Sequence, residues 1–318
     1  MNQSAADNVE IVQLRGSHWA ILGGVVKDYF ALTKPRVISL LLFTTWAAMF
    51  IAARGWPGFW LFMATGVGFY MAAGSAHTLN MVLDRDIDGK VERTATRPIV
   101  AGRITVQNAL IFAVLLGVGS FLLLGLAANW LSACMALAGL IFYVVVYTVL
   151  LKRRTKYNIV IGGAAGSFPP LVGWAAVTGH LNLLAWILFA IIFLWTPVHF
   201  WALAIMIKDD YATLKIPMLP VVVGERMTTV QILFYAVLTT LISLAPVFIL
   251  NGETTSLSWI YGAIAIGLNG LLLWKSAQLY RQPDRPHASS LFHYSMLYLA
   301  LLFLAMAIDN PLWRLLNA

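Results

Sequence analysis

Residues 58–88 read GFWLFMATGVGFYMAAGSAHTLNMVLDRDID. The first 22 of these residues carry no charge, which is long enough to cross the hydrocarbon core of a bilayer as a helix. The run then meets three aspartates within five residues, Asp84, Asp86 and Asp88. Acids at the end of a membrane helix are costly unless a task holds them there. If the helix continues past residue 79, His77, Asn80, Asp84 and Asp88 follow at steps of three, four and four. Those steps place them on one face, while Asp86 points elsewhere.

The rest of the chain fits that beginning. Of 318 residues, 60% are hydrophobic and 11% charged, and the mean hydropathy is +0.81. A soluble domain carries about 25% charged residues. The single cysteine, Cys134, excludes a disulfide framework and reads as a small packing residue. Residues 1–30 are polar and mixed, lack the apolar core of a cleavable signal, and read as a cytoplasmic segment ahead of one domain over 31–318. Nine spans are expected: 37–53, 58–79, 107–127, 131–151, 158–178, 182–206, 229–250, 257–277 and 291–309. The fifth contains Gly162, Gly163, Gly166, Pro169 and Pro170, which predicts a kink or break beside a cavity.

Nine spans put the segments around residues 15–36, 85–103, 152–156, 208–226 and 275–285 on one side. Nineteen of the 21 Lys and Arg fall there, leaving only Arg54 and Arg314 opposite. This bias predicts an all-α polytopic protein with that side cytoplasmic. Topology accounts for the net charge of +8, and no nucleic-acid partner is needed.

The acids are more selective than the bases, since orientation does not require them. Two clusters leave even-numbered spans at the same face: Asp84, Asp86, Asp88 and Glu92, then Asp209 and Asp210. Asn80 offers an amide oxygen and Asp84 and Asp88 offer carboxylates. This donor type suits Mg²⁺, which keeps waters and takes further ligands from a phosphate. Asp209 and Asp210 would share that ion or hold a second. The alternative is that the first cluster pairs with Arg85, Lys90 and Arg93, and that the second balances Lys208 and Lys215. Acids capping a helix C-terminus would oppose its dipole.

Between the clusters lies basic material, ERTATRPIVAGR (92–103) and LKRRTKYN (151–158). Arg93, Arg97, Lys152, Arg153 and Lys156 are candidates to grip phosphate oxygens, with Tyr211 and Lys215 beyond the second cluster. Acids, Mg²⁺ and a basic ring at the mouth of an apolar bundle suit a substrate with a diphosphate head and a long apolar tail.

The motif NMVLDRDID resembles the N-x-x-x-D-x-x-x-D motif of the UbiA-type intramembrane prenyltransferases. LTKPRV (32–37), RTATRPIVAGRI, GSFPPLVGW (166–174), WTPVHFWALAI (195–205) and DDYATLKIPMLPVVVG (209–224) narrow the likeness to the protohaem IX farnesyltransferases, over about residues 30–310. The resemblance implies nine helices around a central cavity. It implies farnesyl diphosphate and haem B as substrates, Mg²⁺ as cofactor, and catalytic or metal roles for Asn80, Asp84, Asp88, Asp209 and Asp210. A bacterial inner membrane, and a haem A synthase or terminal oxidase assembly as partner, come with it. The second region departs from the wider superfamily: where a D-x-x-x-D is common, Leu214 stands four after Asp210.

Haem also needs an anchor. His199, deep in the sixth span, and His77, on the motif face, are candidate haem-binding residues. For His199 the alternative is a hydrogen bond to a neighbouring helix. His293 is a weaker candidate, and His18, His180 and His287 read as terminal or loop residues. Trp195 and Trp201 flank His199. Trp56, Trp60, Trp130, Trp259 and Trp313 read as interfacial belts. Two other functions stay open on the residues alone. One is prenyl transfer to an aromatic quinone precursor. The other is transport along an ion path marked by the acids.

Overall fold

The computed structural model describes residues 23–249 and 257–316, with side chains to 248 and 309. His18 and Trp313 therefore lie outside the described side chains. The described residues form helices and contain no strand. Among the described residues, nine helices are long and apolar enough to span a bilayer. They are α1 Pro35–Ala53, α2 Phe59–Leu83, α3 Val106–Ala127, α4 Trp130–Leu151, α5 Asn158–Thr178, α6 Leu183–Met206, α7 Leu219–Phe248, α8 Trp259–Arg281 and α9 Arg285–Asp309.

Sequence neighbours pack against each other from α2 round to α9, and α9 returns to α6 and α1. Helix α1 also packs along α5 and against α2. The α1–α5 contact depends on a missing side chain, because a Cβ at Gly173 would collide with the Thr45 carbonyl oxygen. Small residues allow this backbone approach where lipid supplies no hydrophobic drive between helices. Buried hydroxyls add polar ties: Ser75 Oγ donates to the Ala113 carbonyl at 2.8 Å, and Ser120 Oγ to that of Gly68 at 2.6 Å.

Three irregularities shape the interior. Helix α5 is broken as expected: an α-turn over Asn158–Gly162, a 3₁₀ stretch over Gly163–Ser167, then an α-helix over Phe168–Thr178 with proline in its first turn. Helix α4 ends in a π-helix, Phe142–Leu151. There Thr148 Oγ1 donates to the Tyr143 carbonyl at 3.0 Å, a side chain entering the backbone ladder. Helix α7 begins ten residues before its expected start and turns sharply at Gly224, where φ is 82°.

Helix α2 runs to Leu83, not 79, and its hydrogen bonding continues onward. Asp84 N–H donates to the Asn80 carbonyl and Asp88 N–H to the Asp84 carbonyl, each at 2.9 Å. A short helix, Arg85–Asp88, thus extends the face of α2. Helix α9 likewise starts at Arg285, six residues before the expected 291.

Candidate active site

The extended α2 face carries His77, Asn80, Asp84 and Asp88 to the mouth of one cavity of about 370 Å³. All four are nearly inaccessible to solvent, with Asp84 at 1% and Asp88 at 5% exposure. Buried carboxylates must be paired, and here each meets a cation. Lys152 Nζ donates to Asp84 Oδ2 at 2.5 Å, and Asn80 Nδ2 donates to the same oxygen at 2.7 Å. Arg153 reaches Asp84 Oδ1 at 3.4 Å. Arg97 pairs with Asp88. Thr94 Oγ1 donates to the Asp88 carbonyl at 2.5 Å, which holds the turn carrying Arg97 over the site.

Lys34, counted from the sequence only in the charge bias and the LTKPRV motif, completes this cluster. Its Nζ donates to Asn80 Oδ1 at 3.0 Å, and it lines the cavity. The backbone at Lys34 is left-handed, with φ 54° between the helix of residues 23–33 and Pro35 of α1. A non-glycine residue held there is strained, and such strain gathers at sites that aim a side chain. Burial, then repulsion from Arg97 and Lys152, lowers its ammonium from 10.5 to about 7 against the opposing pull of Asp84 and Asp88. The Lys-Pro step before the first span, on the basic side, was the available signal. Tyr143 and Tyr147 also line the cavity, turned inward by the π-helix. Their identity alone carried no signal, since the i→i+5 register places them.

Arg93 and Tyr211 line the same cavity. The remaining expected residues do not. Asp209 and Asp210 stand in the first turn of a separate short helix, Lys208–Thr213. Acids suit that position because a helix N-terminus carries positive dipole. Asp209 is exposed, and Asp210 faces Arg93 at 3.6 Å. Neither lines the cavity: the chain breaks at Ile207, and Tyr211, Leu214 and Ile216 face inward, while Asp210 stays at its rim through Arg93. Arg153 is drawn outward by Asp86, at 2.7 Å, which holds that carboxyl below its usual range. Lys156 lies over the Tyr157 ring. Lys215 is exposed, with φ 53°.

The two haem candidates separate. The ring of His199 is sandwiched between Trp195, at 4.5 Å, and Phe292, at 4.6 Å, and its Nδ1 shares a 2.8 Å hydrogen bond with Ser295 Oγ. It does not line the cavity. His77 does, edge-on to Tyr143, and its buried Nδ1 has no hydrogen-bond partner among the described residues.

Among the described residues no three His, Cys, Asp or Glu side chains converge as a ready-made metal cage. The donor set still fits Mg²⁺, which is held by one or two carboxylates plus water and substrate phosphate instead of an all-protein shell. Asp84, Asp88 and the Asn80 amide oxygen supply that share, at a mouth lined by Lys34, Arg93, Arg97 and Lys152. Below the mouth the walls are apolar, with Phe168, Trp195, Phe200 and Leu299 among them.

The chain matches the family model described as the UbiA prenyltransferase family over residues 40–307. It is 61% identical over 288 residues to a protoheme IX farnesyltransferase of Thermus thermophilus, covering 91% of this chain and 46% of that one. The chain thus spans about half the length of the Thermus relatives it matches. It is 58% identical over 296 residues to the protoheme IX farnesyltransferase of Deinococcus radiodurans, covering 89% and 93% of the two chains. Against that of Synechocystis the identity is 54% over 290 residues, covering 91% and 90%. Among solved structures, a digeranylgeranylglyceryl phosphate synthase superposes with a TM-score of 0.74 at 18% identity, over 90% of this chain and 99% of that one. A UbiA homologue from Archaeoglobus fulgidus bound to GPP and Mg²⁺ gives 0.62 at 16% identity, over 88% and 99%. At that identity the likeness is one of fold.

Proposed function

The chain belongs to the UbiA prenyltransferase family, and from that premise we propose that it transfers the farnesyl group of farnesyl diphosphate to a vinyl group of haem B. The products are haem O and diphosphate. One observation carries the reading: two buried carboxylates, an amide and four cations share the mouth of an apolar cavity in a chain 58% identical, over nearly its whole length, to a protein of that activity.

Asn80, Asp84 and Asp88 would hold Mg²⁺ against the diphosphate. Bound there, the ion neutralises charge on the leaving group. Lys152, Arg97, Lys34 and Arg93 face the same volume and stabilise charge as it develops on the departing oxygens. The allylic C–O bond breaks in a chamber whose apolar walls exclude bulk water. Tyr143 and Tyr147 line the chamber, and an allylic cation that meets their ring faces would be attracted to the ring quadrupole. The vinyl group attacks the allylic carbon, one water adds to the resulting porphyrin-side cation, and a proton leaves. We take His77 over His199 as the histidine that meets haem iron; its place in the chamber lining, with Nδ1 unpaired among the described residues, supports this.

The protein is a multi-pass membrane protein with nine membrane helices among the described residues. We place it in the bacterial inner membrane, with residues 1–30 and the active-site loops cytoplasmic and residues 31–318 as one domain. The bias of 19 basic residues to that side supports this orientation. Delivery of product to a haem A synthase or terminal oxidase assembly accords with the reading. Offering the purified protein farnesyl diphosphate with haem B and an aromatic acid together tests the acceptor. Prenylated haem is expected, and a prenylated aromatic acid as sole product would refute the assignment.

A further inference from the structure

The cavity-lining face of α2 is a ruler. Moving inward from Asn80, the lining residues are His77, Ala76, Ala73, Ala72 and Phe69. The alanines leave room for a chain lying along the helix, and Phe69 ends the series. The other walls stop at comparable depth: Thr44 on α1, Ala136 on α4 and Pro169 on α5 are the innermost lining residues there. Beneath them the interior is filled, since Ala48, Ala133 and Val172 are each at 0% exposure. Phe69 is itself pinned, 5% exposed and packed in a cluster with Leu124, Ala133, Ala136 and Val172.

We propose that Phe69 is the floor that sets the length of the prenyl tail this site accepts. The inference rests on the reading that the site binds a prenyl diphosphate. With the diphosphate among Asp84, Asp88, Lys152 and Arg97, the first tail carbon lies near the level of Asn80. From Asn80 to Phe69 the helix advances about 16 Å. An extended chain advances about 1.2 Å per bond, so a farnesyl tail reaches about 13 Å and a geranylgeranyl tail about 18 Å. The first fits above Phe69 and the second meets the ring. A close-packed wall does not yield to that excess at low cost.

The test is equilibrium binding of farnesyl and geranylgeranyl diphosphates, each with Mg²⁺ and without haem, to the purified full chain. The wild-type protein should favour farnesyl by at least about tenfold, the scale of a misfitting apolar increment in an apolar pocket. Phe69→Ala should bring the ratio near unity. Phe69→Leu, which keeps apolar contact with Leu124 and Val172, should move it less and in the same direction. Ala73→Phe, which raises the floor, should favour geranyl over farnesyl diphosphate. Equal wild-type affinity for the two longer chains, or an unchanged preference in folded Phe69→Ala and Phe69→Leu, would overturn the proposal. Wild-type binding of neither diphosphate would overturn the prenyl diphosphate reading and this inference with it. A farnesyl preference in binding, followed by no haem product when haem B is then added, would spare the floor and count against the acceptor alone.

Discussion

Lys152 Nζ lies 2.5 Å from Asp84 Oδ2, joining the end of α4 to the end of α2 across 68 residues of sequence. The carboxylate is 1% exposed and the lysine side chain 15%, so water screens this pair weakly. The contact joins a metal-type donor to a phosphate-type cation at one cavity mouth. Removing Asp84 leaves the Lys152 charge without its partner, and removing Lys152 leaves Asp84 only the longer ion-pair contact to Arg153, at 3.4 Å.

Asp84→Asn should therefore lower turnover by about two to three orders of magnitude, the scale for loss of one preorganised electrostatic group. It should also lower thermal stability in detergent, because Lys152 loses its counter-charge. Lys152→Gln should lower turnover as well. Turnover by Asp84→Asn within a few-fold of wild type would place the metal elsewhere.

Lys34 predicts a pH dependence. Its folded pKa of about 7 lies below the ordinary 10.5, so between those values the unfolded chain binds more protons than the folded one. Stability from this group therefore rises with pH across that window, and the penalty for burying the charge is complete below about 7. Function has the opposite sign. The protonated form grips diphosphate, so kcat/KM for farnesyl diphosphate should fall as pH rises through about 7. Lys34→Arg should abolish that inflection. An identical inflection in Lys34→Arg would assign it to another group.

The histidines give a spectroscopic test. His77→Ala should alter the Soret band of the haem-loaded protein, whereas His199→Phe should leave it in place and affect mainly stability, through the lost bond to Ser295. The reverse pattern would return the iron to α6.

Gly173→Ala should destabilise the protein by about 1–3 kcal/mol, the range for overpacking a filled interior. The added methyl would strike the Thr45 carbonyl. Gly267→Ala, with nothing within 4 Å of its new methyl, serves as the control. Equal melting temperatures for the two variants would mean that α1 and α5 can separate without loss.

Much of the fold was legible. The 19 basic residues on one side fix the parity of crossings, and the Gly and Pro run of α5 marks its break. Asn80, Asp84 and Asp88 could be placed on one face because their spacing follows the helical repeat. Helix ends were less legible. Hydropathy falls at Asn80, but α2 persists because Lys34, Lys152 and Thr148 receive its polar groups. That Asp209 and Asp210 stand on a separate short helix beside the cavity was not legible, because a residue's type does not reveal that the chain breaks at Ile207. Lys34, Tyr143 and Tyr147 depend on a left-handed residue and a π-helix, which arise from packing between helices and leave no periodic trace.

The central claim is that the apolar chamber joins a farnesyl cation to haem and admits one water. Wild-type protein given farnesyl diphosphate, haem B and Mg²⁺ in ¹⁸O-labelled water should yield a haem bearing one farnesyl group and one labelled hydroxyl, read by mass. Addition of EDTA should suppress it. Unmodified haem beside released diphosphate and labelled farnesol would contradict the account.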